Sequence, residues 1–303
     1  MNEVDELRSA VRGFLTTQAP VRAQLTEDPS VWKRLTAEMG LMSLPSEGMP
    51  FSYVCAVLEE TGRVLLRAPY LSSVVAAAAL HELGDTSFTA GLADGSVTAA
   101  LALDGRLDQV AHAAGASLLL LAEGDDLLVV EDFTAEPLDP LDPTRPQARV
   151  SIATAGRRVG TAWHARHLHH VALAAESVGA AQRILEATVG HLRVREQFGR
   201  PLGSFQALRH RIADLTVEVE AATSSAWYAA RATDDLPVAA PLAKAVAADA
   251  FVHVAGASIQ LHGGIGFTWE HDAHLYFKRA WTTALTHGDS RSLRRLAFER
   301  AGH

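Results

Sequence analysis

Arg195-Glu196-Gln197-Phe198-Gly199-Arg200-Pro201-Leu202, followed at once by Ser204-Phe205-Gln206, and Gln260-Leu261-His262-Gly263-Gly264-Ile265-Gly266-Phe267, which starts 65 residues after Arg195, decide how this chain is read. One residue at a time they say little. Arg195 beside Glu196 fits an ordinary ion pair on a solvated helix face. Gly263-Gly264 alone is a loop signal. A phenylalanine such as Phe198 is ordinarily core. Their weight lies in order and spacing, and in the sequence on either side.

The 303 residues allow one large domain or two to three small ones with a substantial core. A hydrophobic share of 48% and a charged share of 20% are those of a globular protein. Abundant alanine and few aromatics favour closely packed helices. The net charge of -8 argues against a nucleic-acid or anionic-membrane surface. Cys55 is the single cysteine, so neither an internal disulfide nor a cysteine zinc site is available. It sits in the apolar run Tyr53-Val54-Cys55-Ala56-Val57-Leu58 and reads as a small buried hydrophobe rather than a nucleophile. The acidic start Met1-Asn2-Glu3-Val4-Asp5-Glu6 has no apolar stretch after it, so no signal peptide is expected. No uninterrupted apolar run approaches ~18–20 residues, and no membrane span is expected. A cytoplasmic location follows as the expectation.

The texture changes twice. Over residues 1–95, Val4, Leu7, Val11, Phe14 and Leu15 follow helical spacing, as do Trp32, Leu35 and Met39 up to Gly40. An Ala/Leu/Val helix is predicted from Ser72 to Leu83, closed by Gly84-Asp85. Over 96–162 short apolar runs appear: Val97–Leu103, Ser117–Ala122, then a tight Gly124-Asp125-Asp126 turn into Leu127–Val130, and Arg149–Ala153. Pro137, Pro140, Pro143 and Pro146 exclude a helix there. Over 163–303 three apolar stripes return: Val171 to Leu185, Ile212 to Ala222, and Leu242 to Val254. Small residues crowd all three, as helices packed in a bundle require. The expected fold is mainly α with a small β insert: an N-terminal helical domain, a reduced central β-domain and a C-terminal four-helix bundle.

With that order of domains, the two motifs resemble the C-terminal domain of the acyl-CoA dehydrogenase family. The early Trp32…Gly40-Leu41 and Leu58-Glu59-Glu60-Thr61-Gly62-Arg63…Pro69 are similar to the family's N-terminal pattern. The resemblance implies FAD, gripped by its adenine and pyrophosphate end across a subunit interface. It assigns those contacts to Arg195, Gln197, Phe198, Gln206, Gln260, Gly263 and Gly264. A guanidinium fork such as that of Arg195 matches a pyrophosphate. Phe198 offers an apolar surface, the glutamines offer amides, and the glycines allow close backbone approach.

Other family features are not recognisable. Where a flavin-ring segment with an acid and a Gly-Ser-Asp turn is expected, the chain reads Ala99-Ala100-Leu101-Ala102-Leu103-Asp104-Gly105-Arg106. The strand that packs on the flavin face is not found in residues 115–132. The family's catalytic glutamate has two possible positions. Counted from Gly264, one falls on His287, within Thr286-His287-Gly288-Asp289. Counted back from Arg195, the other falls on His169, beside His170. His287 is the one candidate base, with an ordinary imidazole value near ~6.5. His164, His167, His169 and His170 read as a solvated or interface patch rather than a metal site. Glu59, Glu60, Glu176 and Glu270 receive no catalytic role.

Three readings follow. In the first, the chain is the smaller, incomplete-site subunit of an α2β2 acyl-CoA dehydrogenase, like actinobacterial ones acting on steroid side chains. The resemblance then implies a homologous catalytic subunit, a bulky acyl-CoA substrate undergoing α,β-desaturation, and electron-transfer flavoprotein or a similar acceptor. In the second, it is a self-sufficient homo-oligomeric flavoenzyme with His287 as an unusual base. In the third, it is a helical scaffold without FAD.

Overall fold

The computed structural model describes residues 3–26 and 28–302. Five α-helices come first: α1 (Glu3–Gln18), α2 (Pro29–Lys33), α3 (Phe51–Arg63), α4 (Tyr70–Glu82) and α5 (Thr89–Asp94), with a 3-10 turn at Val21–Leu25. The stripe on α1 does what its spacing predicts, since Val11 and Leu15 are buried against α3. Asp28 caps α2 by accepting the Ser30 N–H at 2.9 Å, and Pro29 opens the helix where its missing N–H costs nothing.

Strands β1 (Ala99–Ala102), β2 (Val110–Ala111), β3 (Leu118–Glu123), β4 (Asp126–Val130), β5 (Phe133–Pro137), β6 (Gln147–Ile152) and β7 (Arg157–Thr161) form two small sheets. Their orders are β1-β3-β4-β7 and β2-β6-β5. The turn expected at Gly124-Asp125-Asp126 forms with two residues, Gly124 and Asp125, and Asp126 already pairs with Glu123 as the first residue of β4. β1 runs parallel to β3. The periodicity did not announce β2, β5 and β7. β5 and β7 are edge strands with no buried residue, and β2, with Val110 buried, is only two residues long, so none shows the apolar run of a strand buried on a face.

The C-terminal bundle is α6 (Trp163–Val194), α7 (Gln206–Ala229), α8 (Leu236–His262) and α9 (Ala273–Leu285), with α10 (Ser290–Arg300) packed along α8. α8 is long and apolar enough to cross a membrane by composition alone, but 67% of its most apolar window is buried inside the protein. It carries Pro241 in its interior, a position that costs about 3 kcal/mol. Burial of Phe251, Val254 and rows of alanine outweighs that cost, at about 1.5–3 kcal/mol for each large side chain.

Two glycines let the N-terminal helices meet the bundle. A methyl group on Gly62 would overlap the Glu176 carbonyl, and one on Gly179 would overlap the Glu59 carbonyl. The backbones of α3 and α6 therefore touch. This is the physical content of the Glu59-Glu60-Thr61-Gly62-Arg63 stretch.

Candidate functional site

α6 ends at Arg195, whose N–H bonds the His191 carbonyl at 2.9 Å. The chain then folds into a two-stranded hairpin, Glu196–Gln197 against Arg200–Pro201. Its turn residues, Phe198 (φ +55) and Gly199 (φ +78), both lie at positive φ, as a type I′ turn requires. Glycine accepts this freely. Phenylalanine does not, and its presence there is backbone strain. Phe198 is also 90% exposed, against the expectation that a phenylalanine is core. Among the described residues no carboxylate pairs with Arg195, so the surface ion pair with Glu196 does not form. Gln197 donates its amide to the Glu196 carbonyl at 2.8 Å. Gln206 is the exposed first residue of α7, and Gln260 stands exposed in the last turn of α8.

Beyond His262 a 3-10 turn, Gly263–Phe267, carries the second motif. Gly263 adopts φ +64, which explains its identity. Gly264 needs no such backbone, and a Cβ there would meet nothing within 4 Å. The chain itself has no steric use for glycine at 264 among its described residues. The two motifs share one end of the bundle, because the His191 and His262 rings lie 4.4 Å apart. Together they offer a free guanidinium, three amides, an aromatic face and open glycine backbone. That donor set fits the charge and π-face of a dinucleotide tail.

A second feature lies elsewhere, where the N-terminal helices, the β-region and the bundle meet. It is a cavity of about 860 Å³ whose walls include Tyr70, Leu103, Leu173 and Trp281. Both histidines found by counting to the family's base positions border it, and the tertiary structure brings them together. The His169 and His287 rings stack at 5.1 Å, and His170 lies 4.5 Å from His287. His170 donates from Nε2 to the His287 carbonyl at 3.2 Å. Burial, then the neighbouring His170, pulls His169 down to about 3. Burial first, then the adjoining imidazole, also holds His170 and His287 well below the ordinary value. These rings are neutral at pH 7. An imidazole so reluctant to take a proton is a weak general base. His167, His169 and His170 are buried, so the solvated alternative for the expected solvated or interface patch is corrected for these three: α6 is enclosed, and its first turns face the core.

The polar residues beside this cavity also include a group that sequence reasoning missed. Arg279, on α9, is 1% exposed and donates to Asp142 at 2.7 Å and to Glu176 at 3.4 Å. Its third nitrogen serves the Thr144, Leu65 and Leu66 carbonyls. Arg145 pairs with the other oxygen of Glu176 and reaches Thr283. Burial opposes charge on Asp142, but Arg279, the Thr144 hydrogen bond and Arg145 hold its carboxyl below the usual range. Glu176 is thus a structural link between α6, α9 and the β5–β6 connection. Cys55 is buried, and burial raises its thiol further above the ordinary value. Among the described residues, no three His, Cys, Asp or Glu side chains converge as a metal site.

With this geometry in view, comparison with known proteins is direct. The profile of the "Acyl-CoA dehydrogenase, C-terminal domain" family matches residues 162–302. Acyl-CoA dehydrogenase IpdE2 of Mycolicibacterium smegmatis is 38% identical over 292 residues, covering 93% of this chain and 91% of that protein. The ChsE4-ChsE5 complex from Mycobacterium tuberculosis contains a chain that superposes with a TM-score of 0.90 at 26% identity, covering 100% of this chain and 98% of that one. The Tcur3481-Tcur3483 steroid ACAD G363A variant gives 0.88 at 27% identity, covering 99% of each chain. The mainly α fold with its small β insert, the paired C-terminal motifs and these likenesses agree: this chain belongs to the acyl-CoA dehydrogenase family of FAD-dependent oxidoreductases.

Proposed function

We propose that this chain is the smaller, incomplete-site subunit of a heterotetrameric α2β2 acyl-CoA dehydrogenase. Its working units are residues 1–95, 96–162 and 163–303. It lends Arg195, Gln197, Phe198, Gln206, Gln260, Gly263 and Gly264 to the adenine and pyrophosphate end of an FAD whose reactive ring sits in a homologous catalytic subunit. The FAD held there would supply hydride acceptance for desaturation of the acyl-CoA thioester, with electron-transfer flavoprotein or a similar protein as the acceptor. The residues of this chain bind and orient the tail and exclude water from it. The substrate class is a bulky acyl-CoA such as a steroid side-chain thioester, and the setting is cytoplasmic.

The observation that carries this reading is Phe198, 90% exposed on a backbone at φ +55. Within the chain the ring meets Phe205 edge-on at 6.1 Å and otherwise stands in solvent at the tip of a hairpin, where a strained phenylalanine buries little. The open space at Gly264 and the unpaired guanidinium of Arg195 support the same reading. On the cavity side, histidine occupies both counted base positions, and all three clustered imidazoles are neutral. The names of the two structural relatives support a heteromeric assembly: ChsE4-ChsE5 is a complex of two proteins, and Tcur3481-Tcur3483 is a steroid ACAD.

The test is co-expression with the homologous catalytic subunit, followed by flavin titration of the complex. Arg195→Ala should weaken flavin retention about 10- to 100-fold, the loss of one charge-assisted bidentate contact, while native mass stays that of the tetramer. A chain that purifies alone with a full complement of flavin, and whose flavin survives Arg195→Ala, sinks the reading.

A further inference from the structure

Three imidazoles link the two exposed motifs to each other and to the N-terminal helices. His191 lies one turn before Arg195 on α6. His262 closes α8 immediately before Gly263. His271 follows the 3-10 turn. The His191 and His262 rings are 4.4 Å apart, and His262 and His271 are 4.1 Å apart. The loop that presents His271 is fixed from the far side, because Arg22 donates to Asp272 at 2.6 Å and to the Trp269 carbonyl. His262 is buried, donates from Nδ1 to the Ser258 carbonyl at 2.7 Å, and leaves its Nε2 without a partner among the described residues. His271 accepts the Ala273 N–H on Nδ1 at 3.1 Å.

We propose that His262 is a positioning residue: held between His191 and His271, it sets the separation of the Arg195 end of α6 from the Gln260–Gly264 end of α8, and the clasp closes only while its rings are uncharged. The proposal rests on the tail-binding reading above and deepens it.

The surroundings explain the dependence on charge. Arg195 on α6 and Arg22 on the Val21–Leu25 turn are the cations facing the stack, and His274 and Lys278 stand beyond it on α9. Asp272 is the facing anion, and Arg22 already engages it. Burial first, then the charge of His262, lowers both His191 and His271 from the ordinary imidazole value. A proton added to one ring meets two more rings and two guanidinium groups. The sign is therefore fixed. The stack is intact above the unfolded-state value near ~6.5, and stability is lost as pH falls below it. Opening the stack frees the ends of α6 and α8 from each other, so the two halves of the tail surface lose their register.

The experiment is hydrogen exchange on the complex with its catalytic subunit, corrected for intrinsic rates, at about pH 7.5 and about pH 5.5 on either side of the imidazole value. In the unaltered protein, amides of 195–206 and 263–268 should lose protection together on acidification, by about tenfold. His191→Phe, His262→Phe and His271→Phe combined, three rings that take no proton, should keep both segments protected at both pH values. His262→Ala should lose that protection at both. Residues 195–206 unmoved in His262→Ala, or an acid response that persists when all three rings are phenylalanine, overturns the clasp. Flavin affinity on the same samples separates the two claims. If Arg195→Ala leaves that affinity unchanged, tail binding fails as a reading, while the protection pattern still decides the clasp.

Discussion

Arg279 sits where α9 passes the connection between β5 and β6, and replacing it would leave Asp142 buried without its main counter-charge. Breaking a buried pair from one side costs about 3–5 kcal/mol, because the remaining charge cannot reach water. Arg145 still serves Glu176, so the loss falls mostly on Asp142 and on the three carbonyls that Arg279 satisfied. Arg279→Met should therefore lower the unfolding free energy by about that amount in urea titration; a change under about 1 kcal/mol would show the network to be dispensable. None of this was legible in the sequence. Asp142 and Arg279 are 137 residues apart, and each reads locally as an ordinary surface charge. Cys55 is the opposite case. Its apolar neighbours on both sides announced burial, and it is buried.

At the scale of the element, α3 and α6 touch at Gly62 and Gly179. Interiors are packed too tightly to absorb a new methyl group at such a crossing. Gly179→Ala should cost at least about 1–3 kcal/mol, since the methyl would overlap backbone and the two helices must separate to admit it. A shift of the urea midpoint at unchanged slope would report this, and a neutral result would mean that the crossing is looser than described. The helices were legible because their apolar residues recur every three to four positions. β3, β4 and β6 were legible from apolar runs and a two-residue turn. β2, β5 and β7 were not: β5 and β7 are edge strands with no buried residue and β2 is two residues long, whereas the edge strand β1, buried at three of its four positions, did leave an apolar run. Of the solvated or interface patch expected for the α6 histidines, the solvated reading fails for His167, His169 and His170. Their sequence carries no sign that α6 is covered by α3, α4 and α8.

Taken whole, the molecule leaves several large apolar side chains of its two motif loops in water. Phe198 is 90% exposed and Phe267 is 82% exposed, with Ile265 beside the latter. The tetramer reading covers this end with the catalytic subunit. Phe198→Ser together with Phe267→Ser should leave the melting temperature of this chain unchanged within a few degrees, since neither ring is in its core. Association should weaken by at least about 2 kcal/mol for each ring that acts as an anchor. Retained co-purification at equal affinity would place the interface elsewhere.

By itself the sequence determined the order of helices, strands and bundle, the pair of motifs that mark the family, and the histidines at both counted base positions. Each of these is written within a few tens of residues, as periodicity, turn chemistry or a short pattern. Only the tertiary structure decided that His169 and His287 meet, that Glu176 is bound by two arginines, that three imidazoles join the motifs, and that Phe198 stands in solvent. Those facts depend on which surfaces distant in sequence are pressed together. That outcome is set by packing over the whole chain, and no local pattern encodes it.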